Sequence, residues 1–268
     1  KDIARVITPD DGIEAVVHLA GLIAAGESMV KPEMYWHNNV TQTIDLLDGM
    51  RQLGIKQLVF ASSAAVYGNP AELPITETTA TNPTNTYGMT KLAMDMAITS
   101  ECLAHGLAAT SLRFFNVAGA YGKYGERHRS ETHIIPLVLQ AADEGRGSFS
   151  IFGNDYPTPD GTCVRDYIHV LDLAKAIEMS LAKPEAGKHK IYNLGNGDGF
   201  SNKQVVEAVQ KVTGKELSIE FGPRREGDPA TLIASSQRAH DELGWSPSKP
   251  SLEEMIADSW EFYQARQQ

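Results

Sequence analysis

Residues 57–62, QLVFAS, and 108–115, AATSLRFF, are short apolar runs in which hydrophobic and polar residues do not alternate. A strand solvated on one face alternates, whereas a strand covered on both faces does not, so each run reads as an interior strand of a parallel sheet. Between them, residues 87–105 carry Leu92, Met96 and Leu103 on roughly one face of a helix that Gly106 closes. Upstream, residues 13–20, IEAVVHLA, lie between Gly12 and Gly21 and read as another strand buried on both faces. Val40, Ile44 and Leu47 recur at helical spacing within 32–53, and Gly54 follows. Strand, helix, strand, helix, strand with crossovers of this length predicts a doubly wound, Rossmann-like parallel α/β sheet with helices on both faces.

Beyond Asn116 the alternation loosens and Gly, Pro, Asp and Tyr become dense until Leu171, which suits a smaller mixed α/β lobe. Ser201 with Gln204 and Ser251 with Glu254 have the spacing of capping boxes and mark two later helix starts. The division expected is 1–116 plus part of 165–200 for the sheet domain, and 117–164 with 201–268 for the lobe.

The 268 residues include 24 Lys and Arg against 34 Asp and Glu, a net charge of −10. That field opposes binding to nucleic acid or to an anionic membrane, so neither is expected as a partner, and an anionic ligand must be met by a local group of arginines. The longest apolar stretch, Ile13 to Ala25, is interrupted by Glu14, His18 and Gly21 and is too short to span a bilayer. Lys1 to Arg5 lack the apolar core of a signal peptide. Cys102 and Cys163 make no disulfide framework, which points to a reducing cytoplasm.

Chemistry concentrates at Ser62-Ser63, where a predicted strand ends, and at Tyr87-Gly88-Met89-Thr90-Lys91. On a helix, positions four apart share a face, so the Lys91 ammonium is expected near the Tyr87 phenol, favouring its ionised form. Such a tyrosine can take a proton from a hydroxyl near neutral pH, which an unperturbed phenol of pKa about 10 does poorly. Ser63 would complete a hydrogen-bonding triad at the carboxyl end of the sheet, where open α/β sheets bind ligands. By contrast, His18 reads as a hydrogen-bonded core histidine and Cys163 as structural. His128, Glu131 and His133 in RHRSETH lack HExxH spacing and read as a substrate loop, so no metal site is expected. Gly119, Gly122 and Gly125 spell GxxGxxG but lead into Pro136 rather than an apolar helix, so they read as a loop of the lobe.

LVFASSAAVYG, TYGMTK, RFFNVAG, IFGNDYPTPDGTCVRDYIHV, IYNLGNG and PRREGDP follow one another in an order that closely resembles the UDP-glucose 4-epimerases of the extended short-chain dehydrogenase/reductase superfamily. The resemblance covers the chain from about Val16 to its last helix. It implies interconversion of UDP-glucose and UDP-galactose through a 4-keto sugar, with tightly held NAD and a homodimer formed through the helices near 32–53 and 87–105. It makes Tyr87 the base, Lys91 its electrostatic partner and cofactor-ribose ligand, and Ser63 the hydroxyl that shares the proton. It puts Leu19, Ala20, Gly21, Asn38 and Ser62, with Tyr87 and Lys91, around NAD. It puts Phe115, Asn116, His133, Ile134, Phe152, Arg165, Arg225 and Asp228 around UDP, the two arginines at the diphosphate and Asp228 at the ribose. Leu232 then borders the pocket for the sugar's 2-substituent.

Two features depart from that family. The glycine-rich strand–turn–helix that holds the NAD pyrophosphate is not found, so at least one βαβ unit is expected to be missing. Ile23 also stands where many relatives have a lysine. A sugar-nucleotide-binding remnant without chemistry is therefore one alternative. A nucleotide-sugar 4,6-dehydratase is another, although Ala64 and Ala65 occupy the places where that group needs acidic residues, and the same alanines oppose a decarboxylase using Glu there.

Overall fold

The computed structural model describes residues 7–128, 131–225 and 228–266. The readings made on Lys1 to Arg5, on Arg129-Ser130 of the RHRSETH stretch and on Glu226-Gly227 of PRREGDP lie outside the described residues.

Strand β1 (Ala15–His18) is followed by α1 (Ala25–Val30), α2 (Pro32–Tyr35), a π-helical turn (Trp36–Thr41) and α3 (Gln42–Gln52). Then come β2 (Gln57–Ser63), α4 (Thr86–His105), β3 (Ala108–Phe114) and β4 (Asn116–Ala118). The middle of the chain forms α5 (Ile134–Asp143), β5 (Ser148–Phe152), β6 (Val164–Arg165), β7 (Tyr167–His169), α6 (Val170–Leu181) and β8 (His189–Leu194). It ends with β9 (Phe200–Ser201), α7 (Asn202–Thr213), β10 (Ser218–Gly222), β11 (Thr231–Leu232), α8 (Gln237–Leu243) and α9 (Leu252–Ala265).

The main sheet runs β1-β2-β3-β8 and every pairing in it is parallel. Successive side chains of β2 point to opposite faces, and both faces are covered. Leu58 and Phe60 pack with Leu47 and Met50 of α3 and with Met94, Ile98 and Cys102 of α4. Val59 points the other way, into a layer made with Leu112, Tyr192, Ala176 of α6 and Ala239 and Leu243 of α8. Burial of a Met94 or Ile98 side chain contributes about 1.5–3 kcal/mol, so the helices and the sheet stabilise one another. A second core joins α5, α7 and α9 with β5.

Four expectations need correction. β1 is an edge strand in this sheet and Val17 is exposed, because the strand pairs only with β2 among the described residues. Helix α4 turns Met94, Ile98 and Cys102 to the core, while Met96 and Leu103 are 64% and 79% exposed. Helix α8 and Trp245 belong to the sheet side rather than to the lobe, since Trp245 is buried there and its Nε1 donates to the Asp172 carbonyl at 2.8 Å. Finally, Ser201 and Gln204 form a full capping box, but Ser251 makes only half of one, because Glu254 pairs with Lys249.

Candidate active site

Helix α4 starts unusually close to the end of β2. A Cβ built on Gly88 would lie 2.5 Å from the Ala65 carbonyl oxygen, so only glycine permits this approach. Asn85 caps the helix by accepting from the Gly88 N–H at 2.8 Å. The close approach brings Tyr87, in the first turn of α4, beside Ser63, the last residue of β2, whose hydroxyl draws the pKa of the phenol down. Ser63 Oγ also accepts from the Ala65 N–H at 3.1 Å, which fixes its rotamer.

Lys91, one turn further along α4, is 4% exposed, and its Nζ donates to the Ala61 carbonyl at 2.7 Å. It stands 5.8 Å from the Tyr87 ring centre and 5.0 Å from that of Phe60. Burial lowers its pKa to about 8, against the pull of Asp95. The phenol does not become acidic as the i, i+4 spacing suggests. Burial pushes the Tyr87 hydroxyl up and only the Ser63 hydroxyl pulls it down, while the Lys91 ammonium is engaged by the β2 carbonyl.

The loop after β1 lies over this lysine. Asn39 accepts from the Leu22 N–H at 2.8 Å and donates to the Leu22 carbonyl at 3.0 Å and to Thr90 Oγ1 at 3.1 Å. A Cβ on Gly21 would stand 3.3 Å from Asn39 Oδ1 and 3.6 Å from Lys91 Nζ. Gly21 is thereby held against a buried ammonium that has donors to spare, an arrangement suited to the hydroxyls of a nucleotide ribose. Asn38 is half-buried in the same π-helical turn, a local widening of the helix that recurs at functional sites. The sequence points to Asn38 and gives no sign of the buried Asn39 that pins the loop.

His18, at the end of β1, is fixed from the other side. Thr43 Oγ1 donates to the Asn39 carbonyl at 2.7 Å, so the 2.9 Å contact with His18 Nε2 requires the imidazole to be the donor. Burial, then the charge of Lys91, hold its pKa down at about 4, so it is neutral at pH 7. This is the hydrogen-bonded histidine expected.

Beneath Lys91 runs a buried network that the sequence does not announce. Asp95 accepts from Arg113 Nε at 3.0 Å and from its NH2 at 2.9 Å, and also from Ser62 Oγ at 3.1 Å. Arg113 donates to the Tyr67 hydroxyl, which donates to Asn193 Oδ1. The Ser62 hydroxyl is thus engaged by Asp95.

Across the cleft, Phe152 at the end of β5 is 39% exposed, and the Arg225 guanidinium stacks 4.3 Å from its ring centre. Arg224 turns elsewhere, onto Tyr156 and Asp155. Arg165 pairs with Asp228 at 2.5 Å, so those two expected ligands form one ion pair. The Asp166 backbone ties this side together. Its carbonyl accepts from both the N–H and the side-chain amide of Asn116, and its N–H donates to the Leu232 carbonyl. Leu232 packs in a cluster with Ala64 and Phe115, next to the Ser63 end of β2. Ile134 opens α5, and His133 occupies its N-cap with the imidazole turned to Glu126 and Glu131. Cys163 is buried, in line with a structural role.

Residues 1–195 match the model of the NAD dependent epimerase/dehydratase family. The chain belongs to that family. Its relatives in the epimerase/dehydratase family include a Corynebacterium glutamicum protein named UDP-glucose 4-epimerase, 56% identical over 265 residues, covering 99% of this chain and 80% of the relative. A crystal structure of a UDP-glucose 4-epimerase superimposes with a TM-score of 0.91 at 45% identity, over 97% of this chain and 81% of that one. The enzyme of that name from Bifidobacterium longum, in complex with NAD+ and UDP, gives 0.89 at 37% identity, over 96% of this chain and 78% of its own.

Proposed function

We propose that this chain is a UDP-glucose 4-epimerase, interconverting UDP-glucose and UDP-galactose through a 4-keto sugar. The observation that carries the reading is the contact between Tyr87 and Ser63 one helical turn from the buried Lys91. When bound, NAD supplies a hydride acceptor and donor at carbon 4 and a positive charge that favours the phenolate. Tyr87 takes the 4-hydroxyl proton, with Ser63 bridging sugar oxygen and phenol. Leu19, Ala20, Gly21, Asn38 and Lys91 hold the cofactor. Ser62 contributes only its backbone, its hydroxyl being engaged by Asp95.

At the other end of the substrate, Phe152 offers a ring face to the uracil and Arg225 a fork to the diphosphate. Asp228, positioned by Arg165, accepts from the ribose hydroxyls, while Phe115, Asn116, His133 and Ile134 complete the uridine surface. Firm anchoring of UDP leaves the keto sugar able to turn over and accept hydride on its opposite face. Binding without chemistry is disfavoured by the intact Ser63–Tyr87–Lys91 set, and dehydration by Ala64 and Ala65, which provide no acid for elimination.

We also infer a sheet domain of 1–116 with part of 165–200, joined by α8, and a lobe of 117–164 with most of 201–268. The unpaired, buried Cys102 and Cys163 suit a reducing cytoplasm. Met89, Met96 and Leu103 are exposed at seven-residue spacing on α4, with Ile44 exposed on α3, an apolar stripe suited to a homodimer. Among the described residues no helix is long and apolar enough to cross a membrane. The test of the reading is conversion of UDP-galactose with NAD present. UDP-glucose is the product expected, and a 4-keto-6-deoxy sugar, or no turnover, would overturn it.

A further inference from the structure

The loop before α5 contains two Glu-x-His units, Glu126-Arg127-His128 and Glu131-Thr132-His133, of which the proposed reaction uses only His133, at the uridine surface. The fold brings them together. His128 Nδ1 lies 2.8 Å from Glu126 Oε1 and 3.5 Å from Glu131 Oε2. His133 Nδ1 lies 2.7 Å from the same Glu126 oxygen and 2.9 Å from Glu131 Oε1. One ligand atom from each residue falls within 4.8 Å of every other.

We propose that Glu126, His128, Glu131 and His133 form a tetrahedral site for a divalent cation of the zinc type. Zinc bonds of about 2.1 Å to imidazole nitrogen and carboxylate oxygen set the edge of a tetrahedron at about 3.4 Å. The four contacts run from 2.7 to 3.5 Å and all four ligand atoms lie within 4.8 Å of one another, so the side chains stand close enough to converge on one ion. Two carboxylates and two neutral imidazoles also balance a dication, whereas magnesium and calcium favour sites built mainly from oxygen. Glu131 is oriented by its own backbone, its Oε1 accepting from the N–H groups of Thr132 and His133 at 2.7 and 2.8 Å, which leaves Oε2 for an ion.

Four protein ligands close such a site, which marks it as structural rather than catalytic. Its effect is to clip the loop to the start of α5, whose N-cap is His133. The far side of the loop is already fastened to α9: Arg266 donates to the Glu126 carbonyl, and Arg127 stacks on Phe262. This inference stands on the cluster itself and does not need the epimerase reading.

The test is a zinc titration of the untagged chain, stripped with chelator and followed by competition with a chromogenic chelator, with cobalt(II) as a spectroscopic probe. One equivalent of zinc per chain and the intense visible absorption of tetrahedral cobalt are expected. His128→Ala and His133→Ala should each weaken binding at least tenfold, and His240→Ala, beside the exposed Asp241, should not. Should a histidine variant melt early without metal, Glu126→Gln, which keeps the side chain's size, should show the same tenfold weakening. No stoichiometric binding, affinity unchanged in the cluster variants, or an octahedral cobalt spectrum would overturn the site.

Discussion

At the scale of single residues, the two neighbouring arginines of PRREGD separate cleanly by what they touch. Arg225 stacks on Phe152, whereas Arg224 is engaged by Asp155 and Tyr156. Arg225→Ala should therefore weaken UDP binding by about 1.5 to 3 kcal/mol, the range for a hydrogen bond to a charged group, and Arg224→Ala should leave it within twofold. Calorimetry with UDP decides; equal affinity of Arg225→Ala and parent removes that residue from the diphosphate. Leu232 makes a second residue-scale prediction, because it packs with Ala64 and Phe115 beside Ser63. It can change rotamer but cannot vacate the space, so activity should favour UDP-glucose and UDP-galactose over their N-acetyl forms. Leu232→Gly should raise kcat/KM on UDP-N-acetylgalactosamine relative to UDP-galactose; an unchanged ratio would show that the leucine is only packing.

At the scale of elements, much of the fold is legible in the sequence because it rests on local pattern. β2 and β3 read as buried strands since both faces are apolar, and the Tyr87–Lys91 helix is marked by its own spacing. What stays hidden depends on contacts distant in sequence. Nothing near Asp95 announces Arg113 and Tyr67, and the choice between Asn38 and Asn39 turns on which side of a π-helical turn meets the 19–22 loop. The core face of α4 differs from the one its spacing suggests because the helix has two apolar faces, and periodicity cannot tell which of them meets the sheet. The Glu-x-His pairs carry no metal signature in sequence because no single regular spacing joins them; only the fold of the loop does. The junction of β1 with the π-helical turn also has a pH signature. His18 has a folded pKa near 4 against an ordinary 6.5, so between those values the unfolded chain takes up a proton that the folded chain refuses. Its stabilising contribution is complete above pH 6.5 and is lost as pH falls toward 4. His18→Gln should flatten the melting-temperature profile across that window; an identical slope in parent and variant would contradict the assignment.

At the scale of the whole molecule, the proposed division assigns the reacting groups to the sheet domain and the anchor to the lobe, and the Asp166 backbone links Asn116 of β4 to Leu232 of β11. The apolar stripe of Met89, Met96 and Leu103 should bury itself against a second copy, so Met96→Lys with Leu103→Glu should yield a monomer in sedimentation equilibrium where the parent is a dimer. A monomeric parent would contradict that arrangement. Whether Tyr87 carries the proton is decided by turnover of UDP-galactose by Tyr87→Phe, measured alongside its UDP affinity. A loss of kcat of at least about a hundredfold is expected, typical of a missing general base, with UDP binding within twofold of the parent. Turnover close to the parent's would contradict that role.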